Sequence, residues 1–273
     1  MTEKHLMPKI TDDFIKMHED FLVPIIYAQW SHHLTDLAEI ESGNSVLDVA
    51  CGTGVVTRAA QMEVGMGGKV TGLDSNEKML AIARKKSSGI EWQLGDANSL
   101  PFEDSSFDRV LCQFSLMFID NRIAAIKELM RVCKPNGRVV ISIWAPLDQT
   151  RVYTALVNLT RQFAGPRAAL KLSAPWTLGV PGKMDNLLLS AGVNEYECHQ
   201  RVGIARFPSI ETFVEVHLRS SGEYHNLNED TFARMQRAAE IALARHVILD
   251  GQLAADLNAN IFILFPDEDY TYL

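Results

Sequence analysis

Apolar positions along the chain follow two alternating rhythms. Between residues 45 and 144, short apolar runs at 45–49, 69–74, 90–95, 108–113 and 137–144 read as strands. The stretches between them, 55–64, 76–86 and 122–133, carry apolar residues at helical spacing; Ile123, Ile126, Leu129, Met130 and Cys133 share one face of the last. Such alternation predicts an α/β fold with a parallel sheet and helices on both faces. Outside this window the rhythm changes. Residues 11–40 read as helical, with a stripe of Phe14, Met17, Phe21 and Leu22 that Pro24 interrupts and Ile26, Trp30, Leu34 and Leu37 resume. Further helices are predicted at 153–163, 184–190, 210–219 and 228–249, a loop at 174–182, and strands at 195–207 and 261–265.

The first strand runs into Ala50-Cys51-Gly52-Thr53-Gly54, a Gly-x-Gly turn that opens a helix. Glycines let backbone approach a ligand closely, and a helix N-terminus offers free N–H groups. Asp74 closes the second strand, at the distance where a ribose-binding carboxylate is expected. Asp96 follows the third, after Gly95. A dinucleotide site asks for glycine or alanine three residues beyond the second glycine, where this chain has Thr57, and needs no acid such as Asp48 inside the first strand. Both departures argue against a pyrophosphate and for a ligand with a ribose, an adenine and an amino-acid tail.

Leu47-Asp48-Val49-Ala50-Cys51-Gly52-Thr53-Gly54 resembles the first motif of class I S-adenosylmethionine methyltransferases. Gly72-Leu73-Asp74-Ser75-Asn76 with Met79-Leu80, and Gly95-Asp96-Ala97 with Leu100-Pro101-Phe102 and Ser106-Phe107-Asp108, resemble the ribose and adenine motifs. Glu128 to Arg138 is similar to the helix and turn before strand five, with Pro135-Asn136-Gly137 where the family has Pro-Gly-Gly; asparagine tolerates the left-handed angle that turn needs. The resemblance runs from Ser45 to Trp144 and is strongest to the type 11 group, which includes quinone-biosynthesis C-methyltransferases. It implies a Rossmann-like, mainly parallel seven-stranded sheet with S-adenosylmethionine as cofactor and S-adenosylhomocysteine as product.

The resemblance also implies roles. Asp74 would hold the ribose hydroxyls, beside Ser75. Asp96 and Ala97 would hold the adenine, with Met79 on its face. Asp48, Ala50, Cys51, Gly52 and Gly54 would line the amino-acid tail, and Gln113 and Phe114 at the end of strand four would lie near the methionine portion. Tyr27 and Trp30 are candidates for an aromatic cover of the tail, or staple residues; Met117 and Phe118 line an acceptor pocket, or fill core. Bland alternatives exist elsewhere too: Asp74 as a helix cap, Asp96 as a loop cap, Cys51 as a small buried hydrophobe. The methyl donor brings its own reactivity, so no acid–base pair is obligatory; His32, His33, His217 and His225 are the candidate bases should the acceptor need one.

Composition narrows the class. The formal charge of −8 speaks against a nucleic-acid surface, so a small-molecule acceptor is expected. Four scattered cysteines, no apolar run of membrane-spanning length and a charged Met1–His5 predict neither disulfides, metal site, membrane span nor signal peptide, and so a cytoplasmic setting; oligomeric state is not legible. The expected organisation is a helical cap segment at 1–43, the cofactor-binding core at 44–146, a cap helix and completion of the core at 147–208, a helical insertion in the cap at 209–256, and a last strand and tail at 257–273. An NAD-type oxidoreductase and a non-catalytic nucleoside-binding protein are the competing readings.

Overall fold

The computed structural model describes residues 11–266, so Met1–His5 lies outside it. Seven strands form one sheet in the order β3-β2-β1-β4-β5-β7-β6. They are β1 (Ser45–Val49), β2 (Lys69–Asp74), β3 (Glu91–Leu94), β4 (Phe107–Gln113), β5 (Cys133–Trp144), β6 (Tyr196–Phe207) and β7 (Leu253–Leu264). The pairs β1–β2, β1–β4, β2–β3 and β4–β5 are all parallel. The order reverses between β1 and β4, and in such sheets the ligand crevice lies beyond the carboxyl ends of the strands at that point.

The chain divides into two compact units, each made of three segments. One comprises Tyr27–Ile143, Gly182–Gln200 and the chain from Asn260 onward. Its core gathers Val46, Val70, Leu111, Val140, Ile261 and Ile263 from the strands with Val56, Ala60 and Val64 from α3 (Val55–Glu63) and the turn after it. Leu34 and Ala38 of α2 (Ala28–Ala38) join the same cluster, fully buried. Each large apolar side chain buried in this way contributes roughly 1.5–3 kcal/mol. This unit also holds α4 (Glu77–Lys86), α5 (Arg122–Val132) and α8 (Lys183–Ser190).

The other unit comprises residues up to Ile26, Trp144–Pro181 and Arg201–Ala259. It contains α1 (Asp12–Met17), α6 (Arg151–Ala164), α7 (Pro166–Ser173), α9 (Ile210–Ser220) and α10 (Glu229–Leu243). Tyr153, Trp176, Phe207, Phe213 and His217 form an aromatic cluster there, with ring centroids 4.5–5.4 Å apart between its contacting pairs. The boundary between the units falls inside the expected N-terminal cap segment, between Ile26 and Tyr27.

Several elements differ from expectation: the helix expected at 228–249 ends at Leu243, and the loop expected at 174–182 carries a 3-10 helix at Ala174–Gly179. His18–Tyr27 is a π-helix, whose wider turns accommodate Pro24 without a break. The helix α7 follows Gly165 with proline at its first position, where the missing N–H costs nothing. Strand β7 starts at Leu253, well before residue 261. Among the described residues no helix is long and apolar enough to cross a membrane.

Candidate functional site

The turn after β1 is built on left-handed backbone. Ala50, Gly52 and Gly54 have φ of 56°, 58° and 81°. Glycine adopts this freely, whereas Ala50 carries a strain of order 1–3 kcal/mol, a cost that tends to sit at functional sites. Phe114, just past the end of β4, has φ 47°. Ala50 and Phe114, two of the five left-handed non-glycine residues among those described, therefore follow the two strands that flank the order reversal. The Ser115 hydroxyl joins these ends, donating to the Ala50 carbonyl at 3.2 Å and the Gln113 carbonyl at 2.8 Å. Sequence reasoning did not single out Ser115 as a site residue.

Two buried carboxylates flank the turn. Asp74 accepts from the Gly52 N–H through Oδ2 and from the Asn76 N–H through Oδ1, both at 2.8 Å. It ties the glycine turn to β2 and keeps acceptor capacity for a ligand hydroxyl. It does not cap α4: that role belongs to Asn76, whose side chain accepts from Lys78 and Met79 N–H. Burial raises the Asp74 pKa, and the backbone N–H groups of Asn76, Gly52 and Ser75 pull it down. Asp48 is 1% exposed, and its Oδ2 accepts from the Thr57 hydroxyl at 2.6 Å. Burial pushes its pKa up to about 7, against the Thr57 bond and with the help of the Asp74 charge. Thr57, noted in the sequence only as a departure from the dinucleotide pattern, is thus the partner of the buried acid.

The indole of Trp92 on β3 is a feature the sequence did not signal. A Cβ on Gly54 would lie 2.3 Å from it, and one on Gly72 2.5 Å. Both glycines are therefore needed for the indole to lie against the turn. Its Nε1, Thr53 Oγ1 and Gln113 Oε1 are buried with no partner among the described residues.

The remaining candidates are distributed around these strand ends. Gly95 follows β3, and its N–H donates to the Asp74 carbonyl at 3.1 Å. Asp96 is exposed and accepts from the Asn98 backbone and side chain, closing its own loop, while Ala97 is buried. Met79 is buried on α4 and Ser75 is exposed. Tyr27 and Trp30 flank the Phe114 ring at 6.2 and 5.7 Å, and Gln113 Nε2 donates to the Tyr27 carbonyl at 3.4 Å. Burial drives the Tyr27 phenol up to about 12, so it stays protonated. Met117 is buried and Phe118 is 36% exposed in the short turn after β4.

Cys51 is buried, and its thiol is raised well above the ordinary range by burial and then by Asp48 and Asp74, so it is not a thiolate nucleophile. His32 and His33 lie on α2, exposed and half-buried. His217 and His225 belong to the other unit. His217 is buried in the aromatic cluster, contacts the Phe213 carbonyl through Nδ1 at 2.7 Å and is lowered to about 4 by burial, so its ring is neutral. All four cysteines are free, and no cluster able to hold a metal occurs among the described residues.

Residues 47–141 match the family model described as a methyltransferase domain. The demethylmenaquinone methyltransferase of Staphylococcus epidermidis is 43% identical over 114 residues, which are 41% of this chain and 47% of that protein. The chain thus spans about half the length of the curated relatives it matches. Among solved structures, the YcgJ protein from Bacillus subtilis superposes with a TM-score of 0.59 at 17% identity, covering 89% of this chain and 100% of that one. Phosphoethanolamine N-methyltransferase 2 from Haemonchus contortus, solved in complex with S-adenosyl-L-methionine, gives 0.58 at 18% identity, covering 94% of this chain and 58% of that one. These structures share the fold.

Proposed function

We propose that this chain, which carries a methyltransferase domain over residues 47–141, transfers a methyl group from S-adenosylmethionine to a small-molecule acceptor. The observation that carries the reading is the pair of buried acids on either side of the glycine turn: Asp74 bonded to the Gly52 N–H, Asp48 bonded to Thr57. A pyrophosphate is disfavoured by Asp48, inside the first strand, whereas a carboxylate in the place of Asp74 serves a ribose in dinucleotide sites as well. A cationic amino-acid tail and a neutral ribose suit both.

The donor supplies an activated methyl group as a sulfonium and leaves as S-adenosylhomocysteine. The chain's own residues bind and orient. Asp74 takes the ribose hydroxyls; Asp96 and the Ala97 N–H take the adenine edge, with Met79 against its face. Asp48, directly or through water, and Gln113 Oε1 take the tail's ammonium, beside the backbone of Ala50, Cys51, Gly52 and Gly54. Tyr27 and Trp30 back the Phe114 ring that closes this end of β4. Transfer is an in-line displacement, so alignment of the acceptor and exclusion of water do most of the work. The acceptor is a small molecule rather than a nucleic acid, in keeping with the charge of −8, and the setting is the cytoplasm.

Calorimetry of S-adenosylmethionine binding to the parent chain and to Asp74→Ala tests the core of the reading. A charged hydrogen bond is worth about 1.5–3 kcal/mol, so affinity should fall at least about tenfold. Equal affinity in the two proteins refutes the assignment. A methyl-labelled donor offered with a panel of acceptors, beginning with a demethylated naphthoquinol of the kind the Staphylococcus relative is named for, tests transfer. Binding without transfer to any acceptor would favour a non-catalytic cofactor-binding protein.

A further inference from the structure

Among the exposed apolar side chains, one group is concentrated in the unit holding α10. Ile241 is 83% exposed near the end of α10, and Val247, Ile248 and Leu249 beyond it are 38%, 40% and 110% exposed. The three form the tip of a fixed turn. The Ile248 N–H donates to the Gln252 carbonyl and the Gly251 N–H to the Ile248 carbonyl, both at 2.9 Å. Asp250 accepts from the Gln252 N–H at 3.1 Å, Gly251 supplies the left-handed corner with φ 82°, and Val247 bridges to the fully buried Leu253. The backbone thus satisfies its own hydrogen bonds while presenting apolar side chains outward. A tip that merely failed to pack would not be organised in this way.

Charge decides what the tip suits. In a chain with a net charge of −8, exposed Arg237 lies on α10 four residues before Ile241, and exposed Arg245 lies in the short 3-10 turn Ala244–His246 beyond the helix, where its Nε donates to His246 Nε2 at 3.2 Å. Arg234 is paired with Asp230 at 3.8 Å. Asp250 is spent on the turn, and exposed Glu240 lies three residues after Arg237, within pairing reach of it, so Arg245 is the arginine nearest the tip in sequence. Apolar side chains beside arginines match the acyl boundary and anionic headgroups of a bilayer surface, a combination typical of interfacial anchors. We propose that the end of α10 and the 247–249 tip dock this protein on anionic lipid surfaces as a peripheral contact.

Flotation of the full chain with vesicles of phosphatidylcholine plus phosphatidylglycerol, and of phosphatidylcholine alone, tests this. Binding should favour the anionic vesicles and weaken with salt. It should fall at least about tenfold in Leu249→Asp, which removes an apolar anchor and adds a like charge, and also in the double variant Arg237→Glu, Arg245→Glu. All three positions are exposed, so an unchanged melting temperature serves as the folding control. Absence of anionic vesicle binding, or equal binding by parent and Leu249→Asp, overturns the proposal. So does a dimer in sedimentation velocity that Leu249→Asp dissociates, which would make the tip a contact between two copies of the chain. None of these readouts uses the methyl donor, so the outcome is independent of the function proposed above.

Discussion

The role proposed for Asp48 predicts that cofactor binding depends on protons. Asp48 has a pKa of about 7, set first by burial, so at neutral pH the free protein holds it about half protonated. A bound ammonium favours the carboxylate, so the competent form is the ionised one and the apparent Kd scales inversely with its fraction. That fraction rises from about 0.1 at pH 6 to about 0.75 at pH 7.5, which predicts an affinity gain of roughly seven- to eightfold across this window. The ligand's own α-amino group, with an ordinary pKa of about 7.7–8.0, begins to lose its proton at the top of this window, which trims the net gain to roughly five- to sixfold. Calorimetry of S-adenosylmethionine binding at pH 6, 6.75 and 7.5 reads the slope. Repetition in two buffers of different ionisation enthalpy should show about half a proton released per ligand at pH 7. In Asp48→Asn the slope should vanish, leaving affinity near the low-pH value of the parent. A flat profile in the parent, or a full slope retained in Asp48→Asn, refutes the reasoning. The same shift has a stability side. Burial holds the folded-state pKa above the ordinary carboxylate value, so this group's contribution is full below about pH 4 and is lost as the pH rises through about 7, on the order of 4 kcal/mol in all.

Thr57→Val should leave Asp48 Oδ2 without its donor, costing about 1–3 kcal/mol in urea unfolding and moving the midpoint of the binding profile to higher pH; an unmoved midpoint would sink the pairing. Gly72→Ala sets a methyl against the six-membered ring of Trp92 and should destabilise by about 1–3 kcal/mol. In the Trp92→Phe background that penalty should shrink, and additive costs in the double-mutant cycle would contradict the packing described. In the other unit, Lys171 and Glu223 pair at 2.5 Å with side chains 20% and 8% exposed. Lys171→Met leaves Glu223 with only the Asn226 side-chain bond and the nearby Arg167 charge, and should cost about 1–3 kcal/mol, recovered in part by adding Glu223→Gln, as thermal unfolding would show.

Much of the cofactor half was legible because its signals are local. Gly52 and Gly54 announce a turn, and Asp74 and Asp96 sit at strand ends that apolar runs define. What was missed depends on partners distant in the chain. Trp92 reads as one more strand residue until the two glycines beneath its ring are seen in space. Thr57 spoke against a dinucleotide, but its bond to Asp48 needed the helix packed on the strand. The first half of β7 escaped because its buried Ala255, Leu257 and Ala259 alternate with Asp256, Asn258 and Asn260, residue types that rarely build strands on propensity alone. Pro24 argued for a break, and only the tertiary setting of His18–Tyr27 selects the wider helix instead.

The interleaving of the two units bears on how the chain is made. Ile261 and Ile263 fill the same cluster as Val46 and Leu34, which lie more than two hundred residues earlier in the chain. A ribosome adding roughly 5–20 residues per second leaves the early strands waiting tens of seconds for those two isoleucines. That cluster therefore closes only once Ile263 has been translated, more than two hundred residues after Val46.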